Sequence, residues 1–501
     1  MSGGYDSQSG KDPSGLSHAE RLKFLARDSV VYGGAAAISR AFALITFPLL
    51  AQHFSVADYG IIDLFSIVGN FIALLVVFGQ DSAIARYFYE DSDPAYRRRI
   101  VGQSLLIQAA FALVLLPVLH LFSGAIARQL HDTALGPQLM GLVLLQAPLM
   151  VVTNFSINLL KWTFQRTKFL VLSLGYVVMN LLLLAPAILF FNLDIVGVFL
   201  VALTCQAFFA LLGLYFVREW LSWPTRLDDL KPLLVFALPM GVIAGLSAFV
   251  PVLERTLVNG LVGESELGIY AVAMRVAGLL TLFIQAFQMA WGPFSLAIHK
   301  QADAGRTYSL VLTGFSTIVM VMVLGLSAIA QPLIDLLASN RYAGAGVLVF
   351  PLAMGLAVQG IGWITEIGIS LAKKSYLHLF SYAAYVAAGL AAILLLERVF
   401  GLIGIAFGVL VGQVVKTTIA TWMAQRAHPL GWPLLGPALV IMLGTLLGLM
   451  AAAAAGTGLW LGLVTHAAAM VVLLGLAWLL LLDTGQRAAA ISMARRLLNR
   501  G

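Results

Sequence analysis

Apolar stretches long enough to cross a bilayer recur along this 501-residue chain. A helix rises about 1.5 Å per residue, so roughly 20 apolar residues span the hydrocarbon core. Fourteen candidate spans can be drawn, at 29–53, 59–85, 100–124, 138–160, 168–191, 194–217, 233–258, 266–297, 308–337, 346–371, 376–396, 401–424, 434–454 and 458–482. Length alone would suggest about three soluble domains. A composition of 60% hydrophobic and 11% charged residues overrides that and places the chain in the membrane class. The expectation is an all-α integral membrane protein of about fourteen transmembrane helices.

Residues 1–16 are polar and rich in Gly and Ser, without the apolar core of a secretory signal. Ser17–Arg27 reads as a short interfacial helix, with Ser17 and Glu20 spaced as a capping box. The single cysteine, Cys205, excludes an intrachain disulfide.

Lysine and arginine set the expected orientation. Most of the 30 fall on one side, including Arg97, Arg98, Arg99, Lys161, Arg166, Lys168, Arg218, Lys231, Arg306, Lys374, Arg426 and Arg487. Only Arg128, Arg341 and Arg398 fall on the other. Both termini are therefore expected in the cytoplasm. The net charge of +7 is a matter of membrane topology and not of nucleic-acid binding. The outer loops are too short for an extramembrane catalytic domain.

The chain also looks duplicated. Asp58-Tyr59-Gly60 and Glu266-Leu267-Gly268 stand at one offset, and Gln80 and Gln288 share it. Six spans separate the copies, so both halves keep one orientation. That predicts two six-helix lobes related by a pseudo-twofold along the membrane normal, with substrate between them. The expected organisation is 1–28 as a cytoplasmic tail, 29–231 and 232–431 as the lobes, and 432–501 as two further spans and a basic tail.

Polar residues inside the spans gather on helix faces. Asp63, Ser66, Asn70 and Asp81 align in the second span; Asn154, Asn158 and Lys161 in the fourth. Gln359, Trp363, Glu366 and Ser370 share a face of the tenth, and Gln413, Lys416 and Thr417 one of the twelfth. The uncharged ones serve helix association equally well. Arg40 and Arg275 lie near mid-membrane, where a charge costs several kcal/mol (about 3 on insertion scales) unless it faces a partner or water. A cavity role is expected for both. Arg255 lies nearer the outer end, where it can also snorkel. Glu366 and Lys416 lie at similar depth and suit an ion pair or a coupling site. Gly404, Gly408 and Gly412, and Gly444 with Gly448, read as close helix packing. Pro239 and Pro251 should bend the seventh span. No Walker loop, GxGxxG after a strand, HExxH or zinc-spaced Cys/His set is present.

Several short motifs then carry a resemblance. They are Phe47-Pro48-Leu49-Leu50-Ala51, Gly79-Gln80-Asp81-Ser82-Ala83, Arg86-Tyr87-Phe88, Leu238-Pro239, Glu254-Arg255, Gly268-Ile269-Tyr270, Gln285-Ala286-Phe287, Ala290-Trp291 and Pro293-Phe294. Their order and spacing resemble the Wzx-type oligosaccharide flippases, the polysaccharide-biosynthesis branch of the multidrug/oligosaccharidyl-lipid/polysaccharide exporter superfamily. The resemblance implies a transporter, not an enzyme, in the bacterial inner membrane. It implies that undecaprenyl-diphosphate-linked oligosaccharide moves to the periplasmic leaflet for O-antigen or exopolysaccharide synthesis. A polysaccharide polymerase and a chain-length regulator would be its partners, with no cofactor beyond H+ or Na+ coupling and no nucleic acid.

Arginine suits a diphosphate, because its fork matches phosphate and stays charged when buried. The expected cargo set is therefore Arg40, Arg255, Arg275, Gln80, Gln285, Gln288, Asn70 and Trp291. The expected coupling set is Asp63, Glu366 and Lys416. The alternatives are a lipid II flippase, which the fourteen-span count also fits, and a cation-coupled multidrug exporter, which would favour acidic cavity residues.

Overall fold

A computed structural model describes residues 45–91, 93–131, 133–224, 226–299, 304–372, 374–430, 435–455 and 459–480, with 34, 35, 38, 39 and 42. Among these residues every regular element is a helix. Twelve helices are long and apolar enough to cross a membrane, and a bent pair makes a thirteenth. They match the second to fourteenth expected spans. Most of the first span, the tail at 1–28 and the basic tail from 481 lie outside the described residues. Contacts divide the chain into two compact units, Met1–Gly268 and Ile269–Gly501.

In the first unit the helices are α1 (Val56–Val77), α2 (Gln80–Tyr87), α3 (Pro94–Leu121), α4 (Ser123–Leu130), α5 (Leu135–Trp162), α6 (Arg166–Phe191), α7 (Ile195–Val217) and α8 (Leu230–Val262). Their starts follow local chemistry. The Ser55 hydroxyl accepts from the Asp58 amide at 3.1 Å, and the Asp194 carboxylate from the Gly197 amide at 2.8 Å. Asp93 caps α3, with Pro94 in its first turn. Two-thirds of the α1 span is buried against only 11% of α6, so α1 is central to the unit and α6 faces lipid. Helix α8, counted from sequence as the opening helix of the second lobe, packs here against α1 and α2.

One expected span is broken. The apolar pattern ran from 59 to 85, but α1 stops at Val77 because Phe78 and Gly79 both take left-handed backbone, with φ of 44° and 72°. The α8 backbone leaves no room for a side chain at the break. A Cβ on Gly79 would lie 2.5 Å from the Gly241 nitrogen and would overlap the Ala237 carbonyl. Pro239 and Pro251 do not interrupt α8, which runs unbroken through both.

Helix α9 (Glu264–Ala277) carries the chain into the second unit. There follow α10 (Leu280–Ile298), α11 (Ala304–Leu337), α12 (Ala345–Thr365), α13 (Ile367–Leu371), α14 (Leu377–Phe400), α15 (Leu402–Ala427), α16 (Leu435–Ala455) and α17 (Leu459–Leu480). Helix α12 is central, with 78% of its span buried. Gly408 and Gly412 let the α15 backbone close on α14, where a Cβ on Gly412 would sit 2.9 Å from the Gly389 Cα. Helices α16 and α17 pair with each other and pack on α11. The expected straight span 266–297 is instead α9 and α10, bent by 44°. At the bend the Gly278 carbonyl accepts from both the amide and the hydroxyl of Thr281, at 3.0 and 2.6 Å.

Candidate functional site

The first unit holds a charged centre. Asp63, on the buried side of α1, accepts from Arg255 Nε of α8 at 2.8 Å. Both side chains are about 5% exposed. Glu254 Oε2 lies 3.7 Å from Arg255 Nη1, and the Pro251 carbonyl accepts from the same nitrogen at 3.4 Å. The structure thus joins an expected cargo residue, Arg255, to an expected coupling residue, Asp63. Among the described residues, two carboxylates thus flank one guanidinium. Arg40 lies outside the described residues.

The remaining first-unit candidates are dispersed. Gln80 is fully buried, and its Oε1 accepts from the Ser104 hydroxyl of α3 at 3.0 Å. Gln108 Nε2 donates to the same hydroxyl at 3.4 Å. Asn70 is exposed and donates to the Ser66 carbonyl one turn back, at 3.1 Å. The break at Gly79 removes Asp81 from the line of Asp63 and Asn70. It points at Asn158 and Lys161 of α5 instead, joining two stripes that the sequence placed on separate spans.

In the second unit, Arg275 is exposed and stands two residues before the end of α9, at the bend. Gln285 of α10 is half-buried and Gln288 exposed. Trp291 is only 4% exposed. It stacks on Phe287 at 6.2 Å and meets Tyr308 edge-on at 5.4 Å, and the Tyr308 hydroxyl donates to the Ser295 carbonyl. These rings join α10 to α11.

A second charged centre lies where α12 ends. Glu366 accepts from Lys416 Nζ of α15 at 3.1 Å. Its other oxygen lies 3.3 Å from His378 Nδ1 of α14. Lys416 is 1% exposed and lies over the Tyr382 ring at 4.9 Å. The sequence paired Glu366 and Lys416 by depth but passed over His378 and Tyr382. These lie on a different helix from either and at no informative spacing, so only their packing reveals them.

A family model described as polysaccharide biosynthesis protein matches residues 49–347. The chain belongs to that family. No curated protein matches the chain. Among solved structures it is similar to the lipid II flippase MurJ in an inward closed conformation, at 13% identity over 90% of this chain and 99% of that one, with a TM-score of 0.68. It is similar to an inward-facing MATE-family multidrug resistance transporter of the MOP superfamily, at 16% identity over 77% and 94%, with a TM-score of 0.66. A mutant of the Vibrio cholerae MATE transporter VcmN matches at 18% identity over 82% and 98%, with a TM-score of 0.56. At these identities the likeness shows the fold, that of MOP-superfamily transporters. Family and fold together make the chain a multi-span helical membrane protein of the polysaccharide-biosynthesis family.

Proposed function

We propose that the protein flips undecaprenyl-diphosphate-linked oligosaccharide repeat units from the cytoplasmic to the periplasmic leaflet of the bacterial inner membrane. It does so by alternating access, for surface or exopolysaccharide synthesis, alongside a polymerase and a chain-length regulator. The observation that carries the cargo assignment is Arg275. At the 44° bend of a membrane span it supplies a permanent charge and a planar fork of donors that match a diphosphate. Gln285 and Gln288 follow on the next helix as hydrogen-bonding groups for sugars.

The carboxylates of the two charged centres argue against cationic drugs as cargo. Asp63, Glu254 and Glu366 each lie within ion-pair distance of a cation. Coupling to H+ or Na+ is assigned to Asp63 and Glu366. A fixed cation holds each one, so uptake of the coupling ion must displace Arg255 or Lys416.

The test is polysaccharide export in a deletion strain complemented with Arg275 and Arg40 variants, with protein level measured alongside. Arg→Ala should abolish export, and Arg→Lys should keep part of it, since charge survives and the bidentate fork is lost. Wild-type export from both Arg40→Ala and Arg275→Ala would refute the cargo assignment. A second reading, lipid II as cargo, is favoured by the match to MurJ over 90% of this chain. Depletion separates the two: loss of surface polysaccharide supports the first, lysis the second.

A further inference from the structure

The lipid-facing edge of the first unit carries a pair of cations with no part in the centres above. Lys168, in the first turn of α6, lies over the Phe216 ring of α7 at 5.9 Å. Arg218, the residue that follows α7, lies over the Tyr215 ring at 4.1 Å. Two neighbouring helices thus bring their cations to one end of the membrane. Among the described residues, the ion pairs of the unit do not involve either residue. Glu219 is the neighbouring acid in sequence and is exposed, which leaves the edge positive on balance.

An apolar strip leads away from the cations into the membrane. Phe208, Leu211 and Tyr215 follow one another at helical spacing on α7 and are 50%, 69% and 59% exposed. On α6, Val171 is three residues on from Lys168 and is 43% exposed. A greasy strip capped by an ammonium, a guanidinium and a phenol fits a lipid with an anionic head. Acyl chains cover the strip, and phosphate oxygens accept from the arginine fork and the lysine. The ring beneath each cation limits its motion, so less freedom is lost on binding.

We propose that Lys168 and Arg218 form a binding site for an anionic phospholipid of the surrounding leaflet. The proposal rests on the membrane fold and not on the cargo.

The test is native mass spectrometry of the full chain released from nanodiscs of phosphatidylglycerol or of phosphatidylcholine. The wild type should retain phosphatidylglycerol and not phosphatidylcholine. The double variant Lys168→Gln/Arg218→Gln should bind phosphatidylglycerol about thirtyfold more weakly, the loss of two cations near an anionic lipid surface. A control, Arg98→Gln/Arg226→Gln, removes the same charge from exposed positions on α3 and the loop before α8 and should retain the lipid. Equal retention of phosphatidylcholine, an unaffected Lys168→Gln/Arg218→Gln variant, or an equal loss in the control would overturn the site. So would preferential displacement of the phospholipid by a prenyl diphosphate, which would assign the site to cargo. Retention is read without transport, so failure here leaves the cargo proposal standing.

Discussion

Replacing Glu366 with Gln strands a buried ammonium. Lys416 is 1% exposed, its Nζ lies 3.1 Å from Glu366 Oε1, and its other described neighbour is the Tyr382 ring at 4.9 Å. Glutamine keeps the shape and one hydrogen-bond acceptor but not the charge. Breaking a buried pair from one side costs about 3–5 kcal/mol, because the other charge stays desolvated. At 2% and 7% side-chain exposure the pair is too buried for solvent to screen this cost away. Unfolding entropy over the second unit, Ile269–Gly501, amounts to about 0.5 kcal/mol per kelvin at the usual per-residue value. The melting temperature should therefore fall by about 6–10 °C. Adding Lys416→Met removes the stranded charge while filling the space of the lysine stem, and most of the loss should return. His378, at 22% side-chain exposure, can turn to water once its carboxylate is gone. Circular dichroism melts of wild type, both single variants and the double variant in nanodiscs complete the cycle. A Glu366→Gln protein melting within about 2 °C of wild type would refute the reasoning, since the cost estimated from the buried pair would then be absent. So would a double variant less stable than that single one. The double variant also serves for coupling: if Glu366 takes up the coupling ion, this protein should fold yet lose gradient-driven transport in vesicles.

Two further outcomes are expected. Gly79→Ala should destabilise the first unit by more than about 2 kcal/mol, because alanine at positive φ costs about 1–2 kcal/mol and its Cβ would press on the α8 backbone. Gly124→Ala, whose Cβ would meet nothing within 4 Å, should melt no lower than wild type, so parallel melts of the two variants check the contrast. For topology, reporter fusions at Gly10 and Arg487 should read cytoplasmic and one at Asn192 periplasmic; a periplasmic reading at Arg487 would mean an odd number of spans.

The resemblance to oligosaccharide flippases rested on short motifs whose order outweighs their identity. The same weakness explains why solved relatives agree in fold at 13–18% identity. A lipid-facing position need only be apolar, so one fold admits many sequences.

Thirteen spans were legible because lipid leaves a helix no alternative. Every backbone polar group must be satisfied within the span, so a long apolar run suffices to predict one. The glycines of α15 were legible too, since their spacing puts a smooth face on one side of the helix. What the chain alone could not supply were the breaks and the partners. Ala277 to Leu280 are as apolar as their surroundings, and although Gly79 and Gln80 interrupt the apolar run at the first break, only the packing shows the α8 backbone pressed against Gly79. Asp63 was placed on the right face of α1, but its partner Arg255 lies 192 residues away on a helix the repeat assigned to the other lobe. His378 completes the Glu366 centre for the same reason. Periodicity along one helix says which way a side chain points, and only the packing of helices says what it meets.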